Sequence, residues 1–512
     1  YQHGDVAALK VAADFLGVEE LINHHVSERR RGLSVGTTLL LGALNRVIQP
    51  CSKRGWSEWA AGTSLHRLFP GLDVSQLTSQ FFWDQMDCVS LDALKAIEND
   101  LTIAVVRKLG IELDTLFYDT TNFFTYVDST NVKAALPQRG KSKQKRSDLR
   151  LFGLALLVSR DRQIPLCSEV YEGNKVDCRV FPDALSRIRE RLAQLSVDVE
   201  EVTIVYDKGN LSKTNQALVD DAPFGYVASV VGSHHPRLMS IPRRDYEPLP
   251  GGGRTSGIPH LRLKHEIWGA ERTVVLIVSE QLREGQIRGL DQHLTKAVAK
   301  LEEWKHQLGK PRSGPRSAQT AEKKIDETLA GQYLKKVLNV DYNPKRQGAD
   351  RLRYWVDEES VEHLHEEVFG KRILITNRHD WSTREIIQAY RGQSTVEAVF
   401  RQCKDSRHLA VRPQFHWTDH KIQVHAFICM LGLLIARTVE SRANEHGFDG
   451  SLSHLLDTLG QIRLAMILHP SGKNGGRPRA DWFLEMMEQE QADLYRSLVP
   501  DKPPFVYTAG TG

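Results

Sequence analysis

Three acidic residues, Asp119, Asp207 and Glu397, stand in settings that suit metal-dependent chemistry. The first two each follow a β-like run, at 113–118 and 202–206, and Glu397 lies in a helix-patterned stretch. A carboxylate at the end of a buried strand is held rigidly at the edge of a sheet. Three such carboxylates can bind two hard divalent cations, the arrangement used for phosphoryl transfer on nucleic acid. The sequence therefore predicts a two-metal site.

Each acid also has an ordinary structural interpretation. Asp207 precedes a loop and a helical run, so its side chain could cap that helix. Arg401 follows Glu397 by four residues, the spacing of an ion pair on the surface of one helix. These alternatives stay open for each acid alone, but a shared site explains the three acids together.

The helix around Glu397 has two distinct faces. Tyr390, Gln393, Glu397 and Lys404 are spaced by three, four and seven residues, so they are predicted to share one face of a continuous helix. That face would present a carboxylate to a metal and an ammonium to a neighbouring phosphate. The helix is predicted to pack through an apolar stripe of Val396, Val399, Phe400 and Cys403.

Composition indicates a folded protein of several domains. The chain has 512 residues, 41% hydrophobic and 26% charged, so two to four domains are expected. The net charge of +4 is a weak excess, and any nucleic-acid surface must come from local basic clusters. Six cysteines without a CxxC pair argue against structural zinc and a disulfide framework, and fit a reducing cytosol. The apolar run 426–436 is too short to cross a bilayer and predicts a buried helix, so no membrane association is expected.

The periodicities predict an α/β core flanked by helical regions. Strands are predicted near 113–118, 151–159, 164–171, 202–206 and 225–231. Helices are predicted near 179–194 and 211–220. Hairpin and β-α-β connections together indicate a mixed sheet. The expected regions are a helical N-terminal domain, the first part of the core, an insertion, the second part of the core and a helical C-terminal region, over 1–110, 111–235, 236–370, 371–440 and 441–512.

At this point the residues resemble a known group. The spacing Tyr390-x2-Gln393-x3-Glu397-x6-Lys404 is similar to Y-x2-R-x3-E-x6-K, the signature of bacterial insertion-sequence DDE transposases. Gln393 stands where the signature has arginine, so one phosphate-binding cation is absent there.

Other segments of the chain extend the resemblance. Residues 117–121 and 206–210 resemble the segments that carry the first and second acids of that family. A helical domain, a core, an insertion and a helical tail also follow in a similar order, over roughly residues 30–440. Arg391 or Arg401 could supply the cation that Gln393 lacks.

The resemblance implies an RNase H-like core and a DNA transposase that cleaves transposon ends and joins them to target DNA. Asp119, Asp207 and Glu397 would hold two Mg²⁺ ions, with Mn²⁺ as a substitute. One ion would activate water or a DNA 3′-hydroxyl, and the other would stabilise the leaving oxygen. Lys404 with Tyr390 would position a phosphate of the transposon end. The implied partners are the terminal inverted repeats and target DNA, bound by a homodimer at the nucleoid of a bacterial cytoplasm.

A basic segment follows the first acid along the chain. It contains cations that a loop could place on backbone phosphates without reading sequence, among them Arg139, Lys141, Lys143, Lys145 and Arg146. The alternative is a solvated loop, which is the usual role of a charge run. The same two interpretations stay open for the run 29–31 and the stretch 305–324.

Three tryptophans, Trp268, Trp355 and Trp381, fall in or beside the predicted insertion. In transposases similar to this chain, an aromatic residue of the insertion can stack a flipped base. Core packing is the ordinary alternative for each of the three.

Two other functions fit the same residues. A metal-dependent nuclease on the same core would cut DNA without strand transfer. A domesticated, catalytically silent DNA-binding protein would keep the fold but would not need three acids.

Overall fold

The computed structural model describes residues 1–26, 32–141, 146, 148–253, 255–310, 318–469 and 479–499. The chain forms two compact units. The first is Tyr1–Tyr226 together with Arg391–Gly512, and the second is Val227–Tyr390. The three acids all belong to the first unit. The five-region division of the sequence stays a prediction.

Within the part of the chain that the structure describes, seven α-helices open the first unit, as the N-terminal pattern predicts. Their bounds are α1 Gly4–Leu16, α2 Val18–His25, α3 Val35–Ile48, α4 Trp56–Ala61, α5 Leu65–Leu68, α6 Ser79–Met86 and α7 Leu91–Leu109. Ser34, Thr78 and Ser90 each precede a helix and accept a hydrogen bond from a backbone N–H of its first turn. These bonds satisfy donors that a helix start leaves unpaired. Gly110 ends α7 with a φ of 61°, the left-handed conformation that glycine adopts readily.

A mixed sheet follows the helices. Its strands in the first unit are β1 Thr115–Phe124, β2 Leu151–Ser159, β3 Pro165–Glu172 and β4 Thr203–Tyr206, with helices α8 Asp177–Gln194 and α9 Lys213–Asp220. The strand order is β3-β2-β1-β4. Strands β1 and β3 each pair antiparallel with β2, whereas β1 pairs parallel with β4. Strand β5 (Gly225–Val230) begins beside β4, where the Gly225 N–H donates to the Val202 carbonyl over 2.8 Å. The predicted α/β class with a mixed sheet is confirmed. The RNase H-like identity of this core stays a prediction.

Strand β2 is buried along its whole length and packs closely against β3. All nine of its residues are buried, which is typical of a strand that is covered on both faces. Gly153 leaves room for the ring of Tyr171 on β3, because a Cβ at Gly153 would lie 2.1 Å from the ring atoms.

The second unit combines antiparallel strands with one long helix. Its further elements are α10 Pro236–Met239, β6 Glu247–Pro248, β7 Pro259–Ile267, β8 Ala270–Val278, α11 Glu280–Leu308, α12 Ala318–Thr328, α13 Leu334–Val337, β9 Leu338–Tyr342, β10 Leu352–Val356, α14 Glu358–His363, β11 Lys371–Thr376 and α15 Thr383–Arg391. Strand β11 lies between β5 and β8. Leu290, Leu301 and Trp304 of helix α11 are buried in a core that this helix shares with β9 and β10.

Helices and a hairpin complete the described part of the first unit. They are α16 Ser394–Gln402, α17 Asp419–Glu445, α18 Leu452–Gly460, β12 Leu464–His469, β13 Arg479–Leu484 and α19 Gln489–Leu498. By length and composition α17 could cross a membrane, but 94% of its most apolar 18-residue window is buried in the fold. It contains the buried helix predicted for 426–436 and packs against α3. Gly432 permits this approach, since a Cβ there would lie 3.0 Å from the Ala43 carbonyl oxygen.

Candidate active site

The parallel pairing of β1 with β4 brings two of the acids side by side. Tyr118 lies opposite Tyr206 in the last registered pair of these strands, and Asp119 and Asp207 are the next residues. The backbone at Asp207 stays extended, with φ −92° and ψ 165°. Neighbouring strands lie about 4.8 Å apart, so the two acids stand at the same level on adjacent strands.

The two acids also share a face of the sheet. The rings of Tyr118 and Tyr206 lie 5.2 and 5.0 Å from that of Phe181 on α8. Because successive residues of a strand point to opposite faces, Asp119 and Asp207 point away from α8. Both are half-buried.

The structure does not use Asp207 as a helix cap. Its side chain makes no capping hydrogen bond to the turn that follows it. Helix α9 is capped instead by Ser212, whose hydroxyl accepts from the Asn215 N–H over 3.1 Å. The capping interpretation of Asp207 is therefore wrong.

Helix α16, which carries the third acid, is anchored on β1 at both of its ends. Just before the helix, Gln393 donates from Nε2 to the Tyr118 carbonyl over 3.1 Å. Just after it, Lys404 donates from Nζ to Thr121 Oγ1 over 2.6 Å. The two contacts lie on either side of Asp119 along β1. Helix α16 therefore crosses the strand at the level of the first acid.

Glu397 lies between these two anchors. The Gln393 carbonyl accepts from the Glu397 N–H over 3.4 Å, so Glu397 follows Gln393 by one helical turn on the same face. Glu397 and Arg401 are both exposed, and no ion pair joins them in the described part of the chain. The ion-pair interpretation of Glu397 is therefore wrong. The predicted packing stripe is confirmed, because it is buried at all four positions, Val396, Val399, Phe400 and Cys403.

The continuous helix predicted over 390–404 is wrong. Helix α15 ends at Arg391, α16 begins at Ser394, and Gly392 and Gln393 form the turn between them. Glycine is a poor helix former, and the bond from Gln393 to β1 fixes the start of the second helix separately.

This interruption places Tyr390 on a different helix from Glu397. Tyr390 belongs to the second unit, where its hydroxyl accepts a hydrogen bond from Arg372 Nη1 over 2.8 Å. Its ring also lies 5.7 Å from the Arg372 guanidinium. The predicted common face on one helix is therefore wrong for Tyr390. Of the other three residues, Glu397 lies on α16, whereas Gln393 directly precedes the helix and Lys404 follows it.

Gln393 has a role that the sequence pattern did not reveal. Its side chain is 6% exposed and holds α16 on β1 through an uncharged hydrogen bond. Arg391 and Arg401 are exposed, and a phosphate contact by either of them stays a prediction.

The donor atoms at the strand ends suit a hard metal. No group of three or more His, Cys, Asp or Glu side chains is gathered as a metal site among the described residues. Mg²⁺, however, is usually held by one or two protein carboxylates together with substrate phosphates. The adjacent carboxylates of Asp119 and Asp207 fit that mode of binding, and the two-ion site with Glu397 stays a prediction.

Two further residues near β1 escaped sequence reasoning. The hydroxyl of Tyr171 lies 3.5 Å from both the Thr121 carbonyl and the Asp177 carboxylate. Burial raises the pKa of Tyr171, and the negative charges of Asp177 and Asp119 raise it further. Tyr171 is thus kept as a neutral hydroxyl between β1 and the start of α8. The position of Asp177 at the start of α8, shortly after β3, is the signal that could have revealed it.

The basic segment after β1 contains exposed cations. Arg139 and Lys141 are exposed. Arg146 is exposed too, and it donates two hydrogen bonds to Asp148, over 2.8 and 2.7 Å, which lower the pKa of Asp148 to about 2. The other two cations that were predicted to contact DNA from this segment, Lys143 and Lys145, lie outside the described residues. The run 29–31 and the part of 305–324 from 311 to 317 also lie outside them.

Arg150, at the end of this segment, has a structural role. Its guanidinium donates to four backbone carbonyls of the preceding loop, those of Asp128, Asn131, Ala134 and Pro137. These bonds shape the loop that leads from β1 to β2.

The three tryptophans singled out in the sequence all lie in the second unit. Trp268 and Trp381 are partly buried, so core packing stays open for them, whereas Trp355 is exposed. Trp355 is the most open, at 55% exposed. Trp268 lies in the turn between β7 and β8 with a φ of 57°.

No protein-family model matches the chain, and no curated protein matches it. Among solved structures, the chain is similar to one described as a piggyBac transposase synaptic complex with hairpin DNA. The identity is 8% and the TM-score 0.40, and the match covers 89% of this chain and 79% of that chain. A similarity of this size does not bear on which reaction the chain performs.

Proposed function

We propose that the chain is a DNA transposase of the bacterial insertion-sequence type, with Asp119, Asp207 and Glu397 as its catalytic acids. The observation that carries the proposal is the register of β1 with β4, which sets two acids on adjacent strands. The helix of the third acid is anchored across the first of these strands. Acids that served only as caps or surface ion pairs would need no such arrangement.

In this proposal the carboxylates of Asp119 and Asp207 would hold divalent cations, and Glu397 would complete the site from α16. The cations would supply charge stabilisation on phosphate oxygens and would lower the pKa of the attacking hydroxyl. Lys404 already reaches the strand of the first acid through Thr121. It therefore binds a phosphate beside the scissile bond, where a charge-assisted contact fixes the position of the DNA.

The proposed partners are the terminal inverted repeats and the target DNA. Two ends must be held together for transposition, so the active species is a homodimer on DNA. Light scattering of the complex with end DNA measures this stoichiometry. The working place is the nucleoid of a bacterial cytoplasm.

The test is an assay of cleavage and strand transfer with Mg²⁺ on DNA that carries the inverted repeats flanking the coding sequence. Asp119→Asn, Asp207→Asn and Glu397→Gln should each abolish both reactions, because each removes a charge and keeps the side-chain size. Asp114→Asn is the matched control. Asp114 precedes β1 and forms an exposed ion pair with Arg160 over 2.7 Å, which contributes little to stability.

The outcomes separate the alternatives. If all three acid variants cut as the unmodified protein does, the assignment of the site is wrong. Cleavage that is never followed by joining would identify a nuclease. DNA binding without any cleavage would identify a silent DNA-binding protein.

A further inference from the structure

A cavity of about 380 Å³ lies in the first unit and is lined by none of the three acids. Its walls come from the end of α3, the loop after α3, helix α6, the segment 413–417 and the first half of α17. Ligand pockets typically measure about 300–1,000 Å³, so this cavity has room for a molecule with a ring rather than a single ion.

Arg46 brings a buried positive charge to the wall of the cavity. It is 1% exposed. Its Nη2 donates to Asn45 Oδ1 over 2.7 Å and to the Cys51 carbonyl. Its Nε and Nη1 have no hydrogen-bond partner among the described residues. Two donors of a buried guanidinium are thus left for a ligand.

Lys53 brings a second buried positive charge. It is 8% exposed, and its ammonium lies 4.6 Å from the ring centre of Trp56 and 4.1 Å from that of Phe82. Apart from these rings, Nζ has no hydrogen-bond partner in the part of the chain that the structure describes. Its ring contacts stabilise the ammonium only in part.

Among the described residues, no carboxylate lines the cavity to compensate these charges. Burial lowers the pKa of Lys53, and the charge of Arg46 lowers it further. Burial, followed by the charge of Lys53, lowers the pKa of His416 to about 3. Buried cations without a partner are costly, and a bound anion removes that cost.

Aromatic side chains form the open side of the cavity. Phe415 is 53% exposed and Trp417 50% exposed, although both line the cavity. Trp417 lies 5.5 Å from Trp83, and Phe415 stacks on Tyr126 at 5.1 Å with 24° between the rings. Exposed aromatic groups of this kind mark binding surfaces, and they offer flat faces on which a nucleobase can stack.

The same aromatic surface continues to the strand of the first acid. Tyr126 contacts Phe124, the last residue of β1, at 5.7 Å between ring centres. The guanidinium of Arg412 lies 4.2 Å from the ring of Phe124, and that of Arg146 lies 5.3 Å from it. Phe124 follows Asp119 by five residues of β1, roughly 17 Å along the strand. Rings and cations thus lead from the cavity toward the candidate active site.

We propose that this cavity binds one nucleotide of a DNA strand, with its phosphate at Arg46 and Lys53 and its base against Phe415 and Trp417. The cations are buried and the aromatic residues are exposed, so the phosphate lies inside and the base lies at the opening. The proposal rests on the proposed function only in taking the nucleotide from a DNA strand. A free nucleotide carries the same phosphate and base and is the other possible source.

The aromatic surface favours a DNA strand over other phosphate-bearing ligands. An inorganic phosphate would use the two cations but not the rings. A peptide with a phosphorylated tyrosine would use the cavity, yet it would not explain the rings and guanidinium groups that continue to β1.

The test is fluorescence anisotropy in EDTA, where no metal supports cleavage. Three labelled duplexes are compared: fully paired, with one unpaired nucleotide, and with an abasic unit in place of that nucleotide. The unmodified protein should bind the unpaired nucleotide at least about tenfold more tightly than the abasic unit, because stacking on aromatic residues contributes on this scale. Phe415→Ala combined with Trp417→Ala should remove this preference. Lys53→Met should weaken binding of the duplex with the unpaired nucleotide and of the duplex with the abasic unit.

The control variant is Phe483→Ala, which removes an exposed aromatic residue that does not line the cavity. It should keep the preference. Circular dichroism checks the fold, and truncation of the half-exposed Phe415 and Trp417 leaves the core intact even if Lys53→Met disturbs it. The assay contains no free metal and measures no cleavage, so the proposed function can fail while this proposal holds.

Three results would overturn the proposal. One is equal affinity of the unmodified protein for the unpaired nucleotide and the abasic unit. Another is displacement of the labelled duplex by a free mononucleotide at the same concentration at which unlabelled duplex displaces it. This result would assign the cavity to free nucleotides. The third is stronger displacement by phosphotyrosine than by a mononucleotide, which would assign it to a modified peptide.

Discussion

Two regions of the first unit each bring charged side chains of one sign together, and they are opposites in sign and in exposure. Asp119 and Asp207 are half-buried carboxylates at the ends of paired strands. Arg46 and Lys53 are buried cations in a cavity without a carboxylate among the described residues. A half-exposed carboxylate stays hydrated, so its charge costs the fold little free energy. A buried cation has lost its water, and without a partner it destabilises the fold. The difference matches the two proposals: in the proposed function the acids bind a cation for chemistry, and in the proposed nucleotide site an anion offsets what the buried cations cost.

If this contrast is right, changes at the acids alter the rate of reaction and changes in the cavity alter the affinity for DNA. The largest expected effect is at the strand ends. Asp119→Asn and Asp207→Asn should each lower the initial rate of cleavage at least about a thousandfold, since several kcal/mol of charge stabilisation are lost. The affinity for end DNA in EDTA, measured by anisotropy, should stay unchanged. A matching loss of affinity would break the contrast.

The second effect is at the anchor of α16. Gln393→Leu removes the hydrogen bond to the Tyr118 carbonyl and keeps the side-chain size. Cleavage should fall about a hundredfold, because a shift of about 1 Å in a catalytic group has effects of this order. Ser394→Ala, which removes a bond to the Arg391 carbonyl at the adjacent residue, is the control and should cut normally. A rate for Gln393→Leu equal to that of the control would show that Glu397 does not depend on this anchor.

The third effect is on stability and comes from the cavity. Burial and the charge of Arg46 lower the pKa of Lys53 well below its ordinary value of 10.5, so the unfolded chain binds more protons between the two values. The stability of the unmodified protein therefore rises with pH across that window. Lys53→Met should be about 1–4 kcal/mol more stable at neutral pH, because it removes an unpaired buried charge. Denaturant unfolding at several pH values should show this gain shrinking as pH rises toward 10.5. A constant or growing gain would show that Lys53 is not an uncompensated cation.

The smallest effect is at the loop after β1. Arg139→Ala combined with Lys141→Ala removes two exposed cations. Affinity should fall equally for all DNA sequences, and the slope of log affinity against log salt should decrease by about two if both residues contact phosphates. Binding titrations at several salt concentrations measure the slope. An unchanged slope would show that these two side chains face solvent and do not contact DNA phosphates. The cavity would then remain as the proposed DNA contact.

Strands and helices were predictable because each is a local pattern. The apolar runs at 151–159 and 202–206 became β2 and β4, and the stripe on α16 is buried as its spacing predicts. The break at Gly392 was less accessible, since one glycine is tolerated in many helices. The bond from Gln393 to Tyr118 joins residues far apart in the chain, and nothing in the local sequence indicates it.

The cavity could not be predicted for a related reason. Arg46 and Lys53 become buried only when α3, α6 and α17 assemble, and a basic residue is ordinarily expected at the surface. One signal was available in the sequence. Asn45 and Arg46 interrupt an otherwise apolar helical run, which is a position where a polar residue faces the core.

Gln393 also has a consequence for how the protein responds to ionic strength. A guanidinium at this position would hold α16 partly through charge, and dissolved salt would weaken it. The contact between a neutral amide and a carbonyl is hardly screened. Rising ionic strength should therefore reduce the fraction of protein bound to DNA while leaving the rate of each bound complex nearly constant. Salt then changes how much DNA is bound, while the position of Glu397 relative to β1 stays the same.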